Sequence, residues 1–486
     1  MSINQNNNME GKPQFVAAID VGTTKIVTLL GKRNENRKLE IVGFTRSDSR
    51  GIRRGEVLNP EEASNVVRDT IIDLQRRTGV IFSEVFVGIA GQHIRIVKSR
   101  NYINRASYDD SITAADIEKL NRDAGNIALD EGKEIIHILP QSYIVDNETD
   151  IFNPIGMLGK RLEANYNIVV GNIDSIKRIK KCIHQTGLTI KEFILEPLAS
   201  SDAVLYDEER EAGVALVDIG GGTTDLAVFH DNVLRHSAVF PYGGSVVTRD
   251  IKEACGLSEE VAEEVKLQFG VALSDAAEEN KVIVIPSKIK GREPKEVSIR
   301  NLAHIIQARM EEIIDGIMFE VENSGYAGKL GCGIVITGGG AMLRHLKELF
   351  HFRTGMDVRI SNPGEHLTGD SENINEPCYA TGVGLLMKGF EYADKHPDGM
   401  AGVKIVSDLP PNAEMVTPDT KPIPTPNKKI AHELVGEKNK KPKPDKPFDL
   451  SGIIKKFKDG VTNYFDAANP QSQMEEEREP EKSITF

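Results

Sequence analysis

The sequence predicts an α/β fold built from two related halves facing each other across a cleft. Three observations predict it. From Phe15 to about Tyr392, short β-branched apolar runs alternate with helical periodicity, the pattern of sheets flanked by helices. An apolar run ending in Asp and a Gly/Thr turn occurs twice, as Val16–Lys25 and again as Ala215–Asp225. A third Gly-rich turn, Gly338-Gly339-Gly340, follows the apolar run 334–337. The 486 residues allow about three folded units, ample for large cores without disulfide or metal staples.

Taken in order, residues 1–14 are polar and Asn-rich; they are expected to be disordered and hold no secretory h-region. Phe15–Ile19, Ile26–Leu30, Val85–Ile89, Ile168–Val170, Ile190–Leu195, Val214–Val217, Leu226–Phe229 and Ile334–Thr337 read as strands. Asn59-Pro60-Glu61-Glu62 reads as a helix start, with an Asn cap and Pro at the first helical position. Ser258 opens a second helix, and Gly270 is its expected stop. The four cysteines form no C-x-x-C or Cys/His cluster, so structural zinc and a disulfide framework are not expected. No apolar run approaches the ~18–20 residues of a membrane span. The net charge of −13 makes a poor generic nucleic-acid binder.

The two hairpins carry the chemistry. A Gly-rich turn lets backbone amides approach a phosphate without Cβ interference, and Thr hydroxyls add donors. An Asp at the strand end can hold Mg²⁺ through water, because that ion keeps much of its hydration shell. One D-x-G-T alone could be an ordinary tight turn. Two in matching strand contexts suit a clamp on a nucleotide polyphosphate. No G-x-x-x-x-G-K-[ST] and no G-x-G-x-x-G opening a βαβ unit is present, which argues against a P-loop or dinucleotide fold.

After His396 the composition changes. Residues 396–447 are rich in Pro and Lys and read as a flexible linker. Residues 448–466 regain periodicity: Leu450, Ile453, Ile454, Phe457, Val461, Tyr464 and Phe465 share one helical face, flanked by Lys455, Lys456 and Lys458. An apolar stripe with lysines is the pattern of an interfacial membrane helix; docking on the chain's own core or on a protein is the alternative. From Lys421 to Lys458 eleven lysines face only Glu433, Glu437, Asp445 and Asp449, so anionic lipid would attract this stretch at about 1 kcal/mol per basic residue. Residues 467–486 form a polar, acidic terminus.

The hairpins, the T-G-G-G turn and Glu196-Pro197 resemble the actin, Hsp70 and sugar-kinase ATPase superfamily. More closely, the chain resembles the bacterial FtsA family. The stretches that carry this likeness are Ser49–Ile52 with Gly55–Val57, Val87–Ile94, Asn153–Glu163, Pro241–Gly244 with Thr248–Ile251, and Pro377–Leu385. The resemblance implies an actin-like fold, with a first half at 15–90 and 168–200 and a second at 201–241 and 331–395. It implies an inserted lobe at 91–167 and a partner-binding lobe at 242–330. It also implies ATP and Mg²⁺ as cofactors. Asp20 and Asp218 would face the hydrated metal; Gly22, Thr23 and Thr24 would hold phosphate from one side, and Gly220, Gly221, Gly222 and Thr223 from the other. Glu196, with Asp218, would position the attacking water; a solvated carboxylate before Pro197 is the alternative. Glu263 and Lys266 would meet ribose or adenine, unless they are an ordinary surface i,i+3 pair. Gly338, Gly339 and Gly340 would bracket the adenosine. His93, at a strand–turn junction, is expected to be structural.

By the same resemblance the partners are the C-terminal peptide of the tubulin-like protein FtsZ, other copies of the chain in a filament, anionic membrane lipids and other division proteins, with no nucleic acid. The expected location is the cytoplasmic face of the cell membrane at the division site. Asn301 and Arg309 would touch the FtsZ peptide, with a surface salt bridge as the alternative for Arg309. The implied role is mainly structural, with at most slow ATP hydrolysis. A metabolic kinase on the same fold lacks a substrate motif here. An Hsp70-type chaperone would need a peptide-binding β domain, and a pilus-type actin relative would lack the C-terminal anchor.

Overall fold

The structure, a computed structural model, describes residues 14–34, 38–286, 293–368, 372–396, 403–405 and 435–437. The expected N-terminal tail up to residue 13, the amphipathic segment 448–466 with all its named residues, and the acidic terminus lie outside the described residues.

The repeat in the sequence is a repeat in topology. The first half is a six-stranded sheet ordered Thr189–Leu195, Glu84–Ile89, Phe15–Val21, Lys25–Arg33, Leu39–Asp48, Leu367–Thr368. The second is a five-stranded sheet ordered Val358–Ile360, Ile334–Thr337, Val214–Ile219, Thr224–His230, Val233–Phe240. In each, a central buried strand pairs antiparallel with the strand after its Gly/Thr turn and parallel with a later strand on its other edge. The central strands are continuous apolar runs because both faces are covered by other elements.

Local signals operate as the sequence suggests. Helix Pro60–Thr78 starts at Asn59, whose side chain accepts from the amides of Glu61 and Glu62, and stops at Gly79 in the left-handed conformation. Helix Glu259–Phe269 is capped by Ser258 and ends at Gly270. All four cysteines are free thiols. No helix among the described residues is long and apolar enough to cross a membrane.

Three domain boundaries differ from expectation. The inserted lobe runs to Asn172, not 167. Its last strand, Arg161–Asn172, pairs with Lys133–Val145 as far as Asn172 opposite Lys133, and Asn172 then caps the helix Ile173–His184. The Ile168–Val170 strand therefore belongs to the lobe's four-stranded sheet. Residues 367–395 return to the first half: Leu367–Thr368 joins its sheet beside Leu39–Asp48, and helix Ala380–Lys395 packs on Phe15–Val21 and on helix Glu196–Val204. Glycines make that approach possible. A Cβ at Gly389 would strike Val16, and one at Gly384 would strike the Ala199 carbonyl. Finally, the expected linker 396–447 contains a two-residue strand, Lys404–Ile405, paired with Val80–Ile81, and a further short strand at Val435–Glu437.

The lobe following the second hairpin holds helices Gly244–Cys255, Glu259–Phe269 and Ile299–Asn323 with strands Lys281–Ile285 and Lys295–Ser298. Its long helix shares one apolar core with the second sheet, including Val217, Leu226, Ile306 and Ile314.

Candidate functional site

The two Gly/Thr turns meet tip to tip. A Cβ on Gly221 would collide with the Thr24 side chain, and one on Gly222 with that of Thr23. Only glycine permits this approach, which accounts for the two extra glycines of the second copy. Each turn is braced. Ser49 donates through Oγ to the Gly22 carbonyl (2.6 Å), and the Gly55 amide donates to Thr23 Oγ1 (2.8 Å). Gly220 N donates to the Thr223 carbonyl (2.9 Å), and the amides of Gly244 and Ser245 donate to the carbonyls of Gly220 and Gly221.

Behind the tips lie four carboxylates from four elements. Asp20 and Asp218 are each the last residue but one of a central strand, Asp225 sits opposite Asp218 across its hairpin, and Glu196 opens the helix after Thr189–Leu195. Burial holds the Asp20 carboxyl up at about 6, opposed by Lys25 and reinforced by Asp218. Glu196 is raised well above the carboxylate range, first by burial and then by Asp20, Asp225 and Asp218. It packs on Gly88, where a Cβ would lie 3.1 Å from Glu196 Oε1, and the residue as a whole is half-buried. Asp218 is raised by burial, although Ser200 Oγ (2.7 Å) and Thr381 Oγ1 (3.2 Å) donate to it. Burial and Asp218 raise Asp225, whose Oδ1 has no hydrogen-bond partner.

Asp225 and Lys25 carry no assignment in the sequence reading, although both stand at the end of a quoted motif. Lys25 is the cation facing the cluster; its ammonium donates to the Cys378 carbonyl and lies 5.1 Å from the Tyr379 ring centroid. Four buried carboxyls whose ionisation is held back by one another and by burial, with the orphaned Asp225 oxygen, are chemistry that suits a hydrated divalent cation. Among the described residues no group of three or more His, Cys, Asp or Glu is placed to hold a metal ion, and Mg²⁺ ordinarily needs only one or two carboxylates beside its waters and phosphate oxygens.

The neighbouring residues close the site. Gly338, at φ +83°, leaves no space for a Cβ beside Asp218 and Ile219, and Gly340 packs on Ile219. The turn continues into a short 3-10 segment, Gly339–Met342, and the next α-helix starts only at Leu346. Glu263 and Lys266 are more than a surface pair. Lys266, largely buried, reaches Glu263 (2.7 Å), Thr248 Oγ1 (2.8 Å) and the Gly244 carbonyl (3.0 Å), beside the second turn. His93 is buried 3.4 Å from Glu56, with its pKa lowered chiefly by burial, in keeping with a structural place.

The two partner candidates separate. Asn301 is exposed in the first turn of helix Ile299–Asn323. Arg309 is not available for a peptide. Its guanidinium is buried, held by Asp250 through two bonds (2.6 and 3.0 Å) and by Glu312 (2.7 Å). Its position on the face that packs against helix Gly244–Cys255 explains this, and it corrects both the peptide-contact and the surface-bridge expectations.

Comparison with known proteins agrees with this architecture. The family model "Cell division protein FtsA" matches residues 215–384, and "SHS2 domain inserted in FTSA" matches residues 91–170. Cell division protein FtsA of Pseudomonas aeruginosa is 37% identical over 388 residues, covering 80% of this chain and 91% of that protein. The Escherichia coli K12 protein of the same name is 32% identical over 403 residues, covering 80% and 93%. Among solved structures, a PilM-PilN type IV pilus biogenesis complex aligns at a TM-score of 0.56 and 15% identity, covering 77% of this chain and 98% of that one, a likeness of fold alone. The fold is actin-like, with an SHS2 lobe inserted in the first half.

Proposed function

The chain belongs to the FtsA family of cell division proteins, and on that premise we propose that it binds ATP, polymerises, and tethers FtsZ filaments to the inner face of the cytoplasmic membrane at the division site. The observation that carries the nucleotide part is the meeting of two Gly/Thr turns over a buried carboxylate cluster. Phosphoryl chemistry here needs positioning and charge neutralisation more than a strong base. Backbone amides of Gly22–Thr24 and Gly220–Thr223 would grip the polyphosphate from opposite sides. Lys25 would leave the Cys378 carbonyl for phosphate oxygen. Asp20 and Asp218 would hold the hydration shell of Mg²⁺, which when bound supplies charge neutralisation. Glu196 would orient a water. Glu263, Lys266 and Gly338–Gly340 would frame the nucleoside.

The membrane part rests on the sequence of residues 448–466 and the excess of lysine before it. A single such helix binds weakly, and a filament bearing many binds by avidity. Peptide capture rests on the lobe 242–330, with Asn301 exposed on it. The test is electron microscopy on anionic lipid monolayers with ATP and FtsZ, using the full chain and a chain ending at Pro447. The expected result is lipid-bound filaments that recruit FtsZ with the full chain only. Equal lipid binding by both chains overturns the anchoring proposal. Filaments that ignore ATP overturn the nucleotide proposal.

A further inference from the structure

The inserted lobe has a sheet with two different faces. On one, Tyr166, Ile168 and Val170 belong to the lobe's own core. On the other, Asn167 and Val169 stand opposite Leu139 and His137 across the ladder and turn toward the core shared by both halves. Two polar side chains of this face bond across to the halves. His137 Nε2 accepts from the Leu195 amide (3.0 Å), the residue before Glu196. Asn167 Nδ2 donates to the carbonyls of Leu234 (3.1 Å) and Arg235 (3.3 Å), in the edge strand of the second half. Arg235 also reaches back to the Gln141 carbonyl of the lobe (3.4 Å). A lobe that only packed against the core would place apolar residues at 137 and 167, because a buried polar group is costly unless it is bonded. Burial also lowers the His137 pKa to about 4, so its ring is a neutral acceptor at physiological pH.

We infer that the inserted lobe is keyed at once to both halves, through His137 on the Leu195–Glu196 backbone and Asn167 on Leu234–Arg235, and so couples its own contacts to closure of the cleft. His137 is then a positioning residue: it fixes the backbone from which Glu196 projects. A ligand of the lobe changes the cleft, and by reciprocity a ligand of the cleft changes the lobe. The inference rests on the nucleotide reading given above.

The experiment is hydrogen exchange by mass spectrometry on the full chain with and without Mg²⁺-ATP, beside a fluorescent-ATP titration. In the wild type, nucleotide should slow exchange at 133–145 and 161–172 by about fivefold or more, the low end of coupling between sites. His137→Leu and Asn167→Leu should each lose that slowing while binding ATP within about threefold of wild type. His137→Gln, which restores an acceptor, should recover it. Asn167→Leu and His137→Gln keep the test readable if His137→Leu does not fold. If nucleotide binds but leaves the lobe's exchange unchanged, or if the Leu and Gln variants behave alike, the coupling is overturned and the nucleotide reading stands. Absence of any nucleotide binding by the wild type overturns both.

Discussion

Replacing Asp20 by Asn should stabilise the nucleotide-free protein while weakening nucleotide binding. Asp20 is 6% exposed, and burial raises its carboxyl from 3.8 to about 6. A shift of about two units corresponds to about 3 kcal/mol. The sign follows from linkage. A carboxyl whose folded pKa is raised contributes stability that is fully present below its unfolded value and is lost as pH rises through about 6. At pH 7.5 the wild type therefore bears the whole cost of an ionised buried Asp, which Asn avoids. Taking ~2.1 cal/mol/K per residue over about 380 folded residues, 3 kcal/mol is a rise in Tm of about 4 °C. The assay is calorimetry in chelator without nucleotide at pH 7.5 and pH 5, with a fluorescent-ATP titration in parallel. The gain should shrink to roughly half by pH 5, and ATP affinity should fall about tenfold or more. An Asn variant no more stable than wild type at pH 7.5, or one whose advantage grows toward low pH, refutes the reasoning.

Gly221→Val should abolish ATP binding, because the new side chain occupies the place of Thr24; titration with fluorescent ATP reads this. Arg309→Ala should destabilise the lobe by about 3–5 kcal/mol by leaving Asp250 buried and uncompensated, seen as a lower urea midpoint. Asn301→Ala should weaken binding to an FtsZ tail peptide about tenfold with no change in Tm, measured by fluorescence anisotropy. Ile454→Glu with Phe457→Glu should remove co-sedimentation with anionic liposomes, since two charges then interrupt the apolar stripe.

What could be read from the sequence was local. The two D-x-G turns, the Asn59 and Ser258 caps and the buried strands are written within a few neighbouring residues, where backbone chemistry decides. What escaped depends on distant neighbours. Lys25 and Asp225 sat beside the recognised motifs, but their place in the carboxylate cluster appears only when the two hairpins face each other. Arg309 lies on a long helix whose apolar pattern is broad enough to put it on either face, and Asp250, which holds it, is 59 residues away. The periodicity of residues 380–395 announces a helix without naming the sheet it covers. The signal, legible afterwards, was Gly384 and Gly389: glycines that cost helix stability yet let the backbone press on Ala199 and Val16.

That return of the last helix has a consequence for synthesis. The second sheet is contiguous in the chain, 214–360, and can close its core as soon as that stretch has emerged. The first sheet has its opening strand at Phe15, yet it lacks an edge strand until Leu367 and a covering layer until Lys395. Domains ordinarily fold from the N-terminus as they leave the ribosome. Here the half made first must be the half finished last, and its exposed apolar sheet is the stretch a nascent-chain chaperone would have to cover.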